Sequence, residues 1–162
     1  MSIRLLIVDD HRMIRDALTD LFAATVDIDT VGQCADGSEV VSAVQRHRPD
    51  VVLMDLMMPV MDGLTAARAT LDHHPQLPIV ILTGGLTAAS VREARDLGIA
   101  GYLLKDGDPA DFPDHVRAVA AGGTAWNPIA MALLQEESDP APDPPRPSLG
   151  PHYSDGCPSR LH

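Results

Sequence analysis

The sequence predicts a doubly wound α/β fold, a five-stranded parallel sheet with helices on both faces. Two observations lead there. Short apolar runs alternate with helix-patterned segments as far as about residue 122. Four of those runs also end on polar residues: Asp9 and Asp10 after the first, Asp55 after the third, Thr83 after the fourth, Lys105 after the fifth. Open α/β sheets bind ligands at the carboxyl ends of their strands. The fold therefore brings three acids, a hydroxyl and a cation to one edge.

Each element has its own justification. Strand one is expected over 3–8, from Ile3-Arg4-Leu5-Leu6-Ile7-Val8, a run suited to burial on both faces. Helix one runs from His11 to about Ala24, with Met13, Ala17, Leu18 and Leu21 at helical spacing. Strand two covers 28–34, through Ile28, Val31 and Cys34. Asp36-Gly37 turns the chain, and Ser38 is the expected N-cap of helix two, whose stripe is Val40, Val41 and Val44. Pro49 ends that connection and strand three follows at 50–54. Pro59 to Gly63 reads as a loop, helix three as 63–72, and His74-Pro75 closes it. Strand four is expected at 78–82, with Gly84-Gly85 flexible after it. Helix four spans about 87–96, with Gly98 as its C-cap. Strand five lies at 100–104, and the last helix of the unit at 109–121, stopping at Gly122-Gly123.

Right-handed crossovers leave few topologies for such a chain. Five strands fit the flavodoxin-like order 2-1-3-4-5, whose switch point lies between strands one and three. Asp9, Asp10 and Asp55 converge at that point. The organisation expected is a domain over 1–122, a short linker helix within 123–138, and a tail over 139–162. Ile129, Met131, Leu133 and Leu134 support the helix. Asp139-Pro140-Ala141-Pro142-Asp143-Pro144-Pro145 has no core to bury and reads as an extended or disordered segment.

The formal net charge of −11 argues against a nucleic-acid surface, since duplex binding rests on basic side chains meeting phosphates. Acidity also has the plain reading of solubility. Cys34 and Cys157 make no disulfide framework, which points to a reducing compartment. Met1-Ser2 runs straight into the first strand, leaving no room for a signal peptide. No apolar stretch approaches the roughly 20 residues that span a bilayer. The expectation is a soluble, cytoplasmic protein that makes no membrane contact.

The clustered residues suit one metal ion and one phosphoryl group. Mg²⁺ takes oxygen ligands in near-octahedral geometry and keeps several waters, and carboxylates at a strand edge supply that set. Without a metal, three close acids repel, and at least one pKa should rise. Asp55 can act as a nucleophile and form an aspartyl phosphate. Lys105, the Thr83 hydroxyl and nearby backbone N–H groups would meet the phosphoryl oxygens. Taken singly, each has a plain reading: Asp-Asp as a helix cap, Thr83 as a turn residue, Lys105 as a solvated charge, Tyr102 as packing. Their joint position at the ends of four strands favours the site. His11 reads as the start of helix one, and His73-His74 as a helix end where positive charge is favourable. Met57, two residues past Asp55, has no group to position a water and should help an acyl phosphate persist.

These motifs resemble the receiver domain of bacterial two-component response regulators, the CheY-like fold. The matching residues are Leu6-Ile7-Val8-Asp9-Asp10-His11, Asp50-Val51-Val52-Leu53-Met54-Asp55-Leu56-Met57-Met58-Pro59, Met61-Asp62-Gly63, Ile81-Leu82-Thr83 and Gly101-Tyr102-Leu103-Leu104-Lys105-Asp106. They cover roughly residues 1–122, and the branch they look most like is NarL/FixJ. The resemblance implies that Asp55 accepts a phosphoryl group from a sensor histidine kinase. It implies Mg²⁺ bound by Asp10, Asp55 and the Met57 backbone carbonyl, with Asp9 acting through metal-bound water. Thr83 and Lys105 would contact the phosphoryl oxygens, and Tyr102 would be a switch aromatic that turns inward as Thr83 moves. It leaves open a homodimer formed on phosphorylation.

That branch continues into a helix-turn-helix. Here Arg146-Pro147-Ser148-Leu149-Gly150 stands where its opening is expected, and no second amphipathic domain follows. The expectation is a stand-alone or truncated receiver with no direct DNA binding. Two further readings stay open: an unreactive scaffold of the same fold, and a Mg²⁺-dependent phosphohydrolase using an aspartyl phosphate. The latter's usual second acid, two residues past the nucleophile, is here Met57.

Overall fold

The computed structural model describes residues 2–136. The proline-rich tail expected over 139–162, with Cys157, lies outside the described residues. The elements are β1 (Ile3–Val8), α1 (Arg12–Ala23), β2 (Ile28–Cys34), α2 (Val40–His47), β3 (Val51–Asp55), α3 (Gly63–His73), β4 (Ile79–Thr83), α4 (Ala88–Leu97), β5 (Gly101–Leu104), α5 (Phe112–Ala120), β6 (Ala125–Trp126) and α6 (Pro128–Glu136).

All pairings are parallel and the order is β2-β1-β3-β4-β5-β6. The expected five strands are present in the expected order. The sheet nonetheless has six strands rather than five: β6 pairs Ala125 with Gly101 and Trp126 with Tyr102. Two residues carry no readable period, so no sequence pattern marks such a strand.

The strand alternation divides the core in two. Leu5, Ile7, Val51, Leu53, Val80, Leu82 and Leu103 face α1 and α5 through Leu18, Phe22, Phe112, Val116 and Val119. Leu6, Val8, Val52, Met54, Ile79, Ile81 and Tyr102 face the other way, against α2, α3, α4 and α6 through Val40, Val44, Leu64, Ala67, Val91, Ala94 and Ala130. Both faces of every central strand are covered, which is why these runs are apolar throughout rather than alternating.

Two local details differ from the sequence reading. Asp36, not Ser38, does the capping near helix two: its side chain accepts from Ser38 N–H and opens a 3-10 turn, Gly37–Glu39, before α2. An aspartate two residues before an N–H closes an Asx turn, and that turn wins here. The last helix of the unit likewise begins as a 3-10 turn, Pro109–Asp111, capped by Asp108, so α5 itself starts at Phe112. Gly98 does cap α4, at φ 81° in the left-handed region. Finally, α6 packs on the domain: Ala130 is fully buried, and Leu133 and Leu134 lie against the α2/α3/α4 side of the core.

Candidate functional site

The carboxyl ends of β1, β3, β4 and β5 bring the predicted residues together. β1 pairs with β3 through Val8↔Met54, so Asp9 follows one strand as Asp55 closes the other. Lys105 is fixed by its own backbone, whose N–H donates to the Thr83 carbonyl at 2.7 Å. Asp9, Asp55 and Thr83 are almost wholly buried, at 1%, 3% and 1% exposure.

Lys105 Nζ reaches Asp9 Oδ2 at 2.8 Å and Asp55 Oδ1 at 3.2 Å. Burial works against the ammonium charge, but the hydrogen bond to Asp9 and the attraction of both carboxylates win, so Lys105 stays charged above the usual lysine range. Asp55 moves the opposite way from a salt-bridged acid. Burial first, then repulsion from Asp9, push its pKa above the ordinary carboxylate range, against the pull of Lys105.

Asp9 also organises its own loop. Its Oδ1 accepts from His11 N–H at 2.8 Å, and its carbonyl accepts from the Arg15 guanidinium at 2.7 Å. His11 sits at the N-cap of α1, as expected, but its side chain caps nothing; instead Nδ1 lies 3.3 Å from Asp9 Oδ1 and 3.0 Å from Asp10 Oδ1. The approach to Asp10 lacks hydrogen-bond geometry, and Asp10 Oδ1 is left buried with no hydrogen-bond partner. One ligating atom from each of Asp9, Asp10, His11 and Asp55 falls within 4.8 Å of all the others. A buried, unpartnered oxygen in a tight carboxylate group fits a hard divalent cation: the residues can hold one.

Thr83 and Tyr102 complete the neighbourhood. The Thr83 hydroxyl donates to the Gly85 carbonyl at 3.1 Å and accepts from Gly85 N–H at 3.3 Å, so it is turned into the β4–α4 loop. Tyr102 is fully buried, with its hydroxyl 2.9 Å from Ser90 Oγ. Met57 is 73% exposed at the mouth of the site. A cleft of about 620 Å³ runs from Asp55, His11 and Lys105 past Met57 and Thr83 to Thr87 and Ser90. A larger cleft, about 820 Å³, lies among the C-terminal ends of α2 and α3, away from the strand carboxyl ends, and holds none of these side chains.

Ser90, Arg15 and the His11 ring are contributions that sequence reasoning missed. A serine at N3 of a helix and an arginine one turn into another look like any cap or surface charge. Only the fold brings them to the site.

Residues 5–117 match the family model of the response regulator receiver domain. The chain belongs to that family. The response regulator protein VraR of Staphylococcus aureus is 34% identical over 135 residues, covering 83% of this chain and 65% of that protein. The chain thus spans about two thirds of the length of such relatives. A two-component response regulator of the LuxR family from an Aurantimonas species superposes with a TM-score of 0.80 at 29% identity, covering 85% of this chain and 99% of that one. The isolated receiver domain of RcsB from Salmonella enterica serovar Typhimurium, solved with phosphomimetic BeF₃⁻, gives 0.74 at 26% identity, covering 82% and 99%. The receiver architecture and its acid cluster are those of a phosphoacceptor signalling module rather than a turnover enzyme. No helix among the described residues is long and apolar enough to cross a membrane.

Proposed function

We propose that this receiver takes a phosphoryl group from a sensor histidine kinase onto Asp55 and changes a protein-interaction surface in response. The observation that carries this reading is the state of Asp55: buried at the strand end, 3.2 Å from Lys105, with its ionised form disfavoured. The added phosphoryl charge there would be balanced by Mg²⁺ and the Lys105 ammonium.

In the transfer, an Asp55 carboxylate oxygen attacks phosphorus, the phosphorus–nitrogen bond of the donor imidazole breaks, and the imidazole leaves to be protonated. Asp10 and Asp55, with the Met57 carbonyl, would hold Mg²⁺, and Asp9 would act through its water. Bound there, Mg²⁺ supplies charge neutralisation for the phosphoryl oxygens. Lys105 is already placed to follow the charge from the Asp55 carboxylate to the transferred group. Thr83 must give up its Gly85 contacts to donate to a phosphoryl oxygen. The loop is not packed against this movement, since a Cβ at Gly84 or Gly85 would meet nothing within 4 Å. The output reaches other proteins through the α4–β5 side, with a phosphorylation-dependent homodimer as one form.

The test is intact mass after incubation with acetyl phosphate and Mg²⁺. One phosphoryl adduct is expected, absent with EDTA and absent in Asp55→Asn. An adduct that survives in the variant would move the acceptor elsewhere, and none under any condition would leave the fold as a scaffold.

A further inference from the structure

The fixed position of Tyr102 has a cause outside the phosphoryl site. Its ring is fully buried while the Thr83 hydroxyl is still turned into its loop, so the inward orientation does not wait for Thr83 to move. Two contacts hold it. The first is Ser90 on α4. Ser90 Oγ donates its one proton to the Thr87 carbonyl at 3.0 Å, so it accepts both from the Thr87 hydroxyl at 2.9 Å and from Tyr102 O–H at 2.9 Å. Ser90 is also half of the capping box that starts α4, where its N–H donates to Thr87 Oγ1. The tyrosine is therefore tied to the end of the β4–α4 loop that Thr83 begins.

The second contact is Trp126, the one tryptophan of the chain. Its ring stacks on Tyr102 with centroids 5.9 Å apart and planes 18° from parallel. β6 is seated for this. Asn127 N–H donates to the Tyr102 carbonyl at 2.8 Å, and Ala125 N–H to the Ala100 carbonyl at 3.0 Å. Gly101 leaves room for it, because a Cβ there would lie 2.7 Å from the Ala125 carbonyl oxygen. α6 follows at once, capped by Asn127 Oδ1 on Ile129 N–H, and buries Ala130 in the core cluster that contains Tyr102 and Val91.

From these contacts we propose that Ser90 and Trp126 are positioning residues that clamp Tyr102 inward, so that the β6–α6 segment both sets and reads the state of the phosphoryl site. The route is continuous: Thr83, the Gly85 backbone, the Thr87–Ser90 cap, the Tyr102 hydroxyl, the Trp126 ring, and α6 on α4. A change that pulls Thr83 toward Asp55 moves the loop, and the clamp carries that movement to β6. If the clamp and the acid pocket bias one equilibrium, loosening the clamp weakens binding at the acid pocket. The inference rests on the phosphoacceptor reading above.

The test uses the full chain with Mg²⁺ and beryllofluoride, titrated calorimetrically and by Trp126 emission. Wild type should show an emission change that tracks beryllofluoride occupancy. Trp126→Ala, Ser90→Ala and Tyr102→Phe should each weaken beryllofluoride binding by about fivefold or more, at the low end of ordinary coupling. Trp126→Phe, which keeps a ring on Tyr102, should restore most of it. Ser90→Ala and Tyr102→Phe delete the same hydrogen bond, so the double variant should be no weaker than either single one. That non-additivity separates the clamp from the loss of the α4 cap, which only Ser90→Ala suffers. Beryllofluoride binding with silent Trp126 emission and unchanged affinities in the variants would overturn the clamp and leave the phosphoacceptor reading standing. No beryllofluoride binding by wild type would bring down both.

Discussion

Asp55→Asn should make the metal-free protein more stable, although it removes a partner of Lys105. The magnitude follows from charges at close range. With an effective dielectric near 20, a unit charge 4.8 Å from Asp55 costs about 3.5 kcal/mol, and ligating oxygens of both Asp9 and Asp10 lie within that distance. Lys105, at 3.2 Å, returns about 5 kcal/mol. Repulsion from the neighbouring acids offsets the pull of Lys105, and burial of the charge, the largest cause of the raised pKa, tips the balance against the ionised form. The raised pKa of Asp55 says the same in protons: the folded chain holds this proton to higher pH than the unfolded chain. A group of that kind destabilises the fold above its folded pKa and does nothing below its ordinary value of 3.8. The gain in Asp55→Asn should therefore be full at pH 7 to 8 and shrink as pH falls through the folded value. Urea unfolding in EDTA, with an unchanged m-value, is the assay. Saturating Mg²⁺ should narrow the difference, because it stabilises wild type through its folded state. A variant less stable than wild type at pH 7.5 in EDTA would refute the reasoning and make the Lys105 pair the dominant interaction.

Lys105→Ala should act in the opposite sense, lowering metal-free stability by about 2–3 kcal/mol, since Asp9 and Asp55 then face each other unpaired; an unchanged urea midpoint would show that the ammonium does not hold the acids. Met57→Asn puts a hydrogen-bonding group at the mouth of the site, where Met57 is 73% exposed, and should shorten the half-life of the Asp55 adduct several-fold by intact mass; equal lifetimes would remove the hydrolysis argument. Gly63→Ala should cost about 2–3 kcal/mol and slow phosphoryl uptake, because its Cβ would run into the Asp55 backbone carbonyl and push β3 out of place. Cys34, whose thiol burial pushes up to about 11, should resist alkylation at pH 7.5 and react once urea opens the core; peptide mapping of the alkylated cysteine reads this directly.

The sheet and the acid pocket were legible for related reasons. Strands covered on both faces must be apolar throughout, so the runs before Asp9, Asp55, Thr83 and Lys105 stand out, and their polar ends can only collect at one edge. Side-chain direction was not legible. Nothing in Thr83-Gly84-Gly85 shows that the hydroxyl turns back to Gly85, and nothing in Asp9-Asp10-His11 shows the ring leaning over both carboxylates. Ser38 and Asp36 illustrate a nearer contest. Both are good capping residues, and the choice depends on whether the chain enters α2 directly or through the 3-10 turn Gly37–Glu39.

The sixth strand was illegible for a deeper reason, and its cause connects two levels of the molecule. Two residues cannot show a period, so evidence for β6 has to come from the surface that receives it. Gly101 opens β5, where a side chain would ordinarily strengthen a strand. Its Cβ would meet not only Ala125 but Val80 on the neighbouring strand, at 3.2 Å. The glycine is thus required by close approach on two sides, and one of them is β6. Tyr102, next in sequence, is then the residue that Trp126 covers. A glycine before Tyr102 gives the edge strand access to the ring and lets Trp126 lie flat on it. Gly101→Ala should therefore disturb Trp126 emission and beryllofluoride affinity together, by displacing β6 rather than by touching the acids. A substitution that destabilised the fold but left the remaining folded protein with wild-type affinity would separate the strand's packing role from any part in the switch.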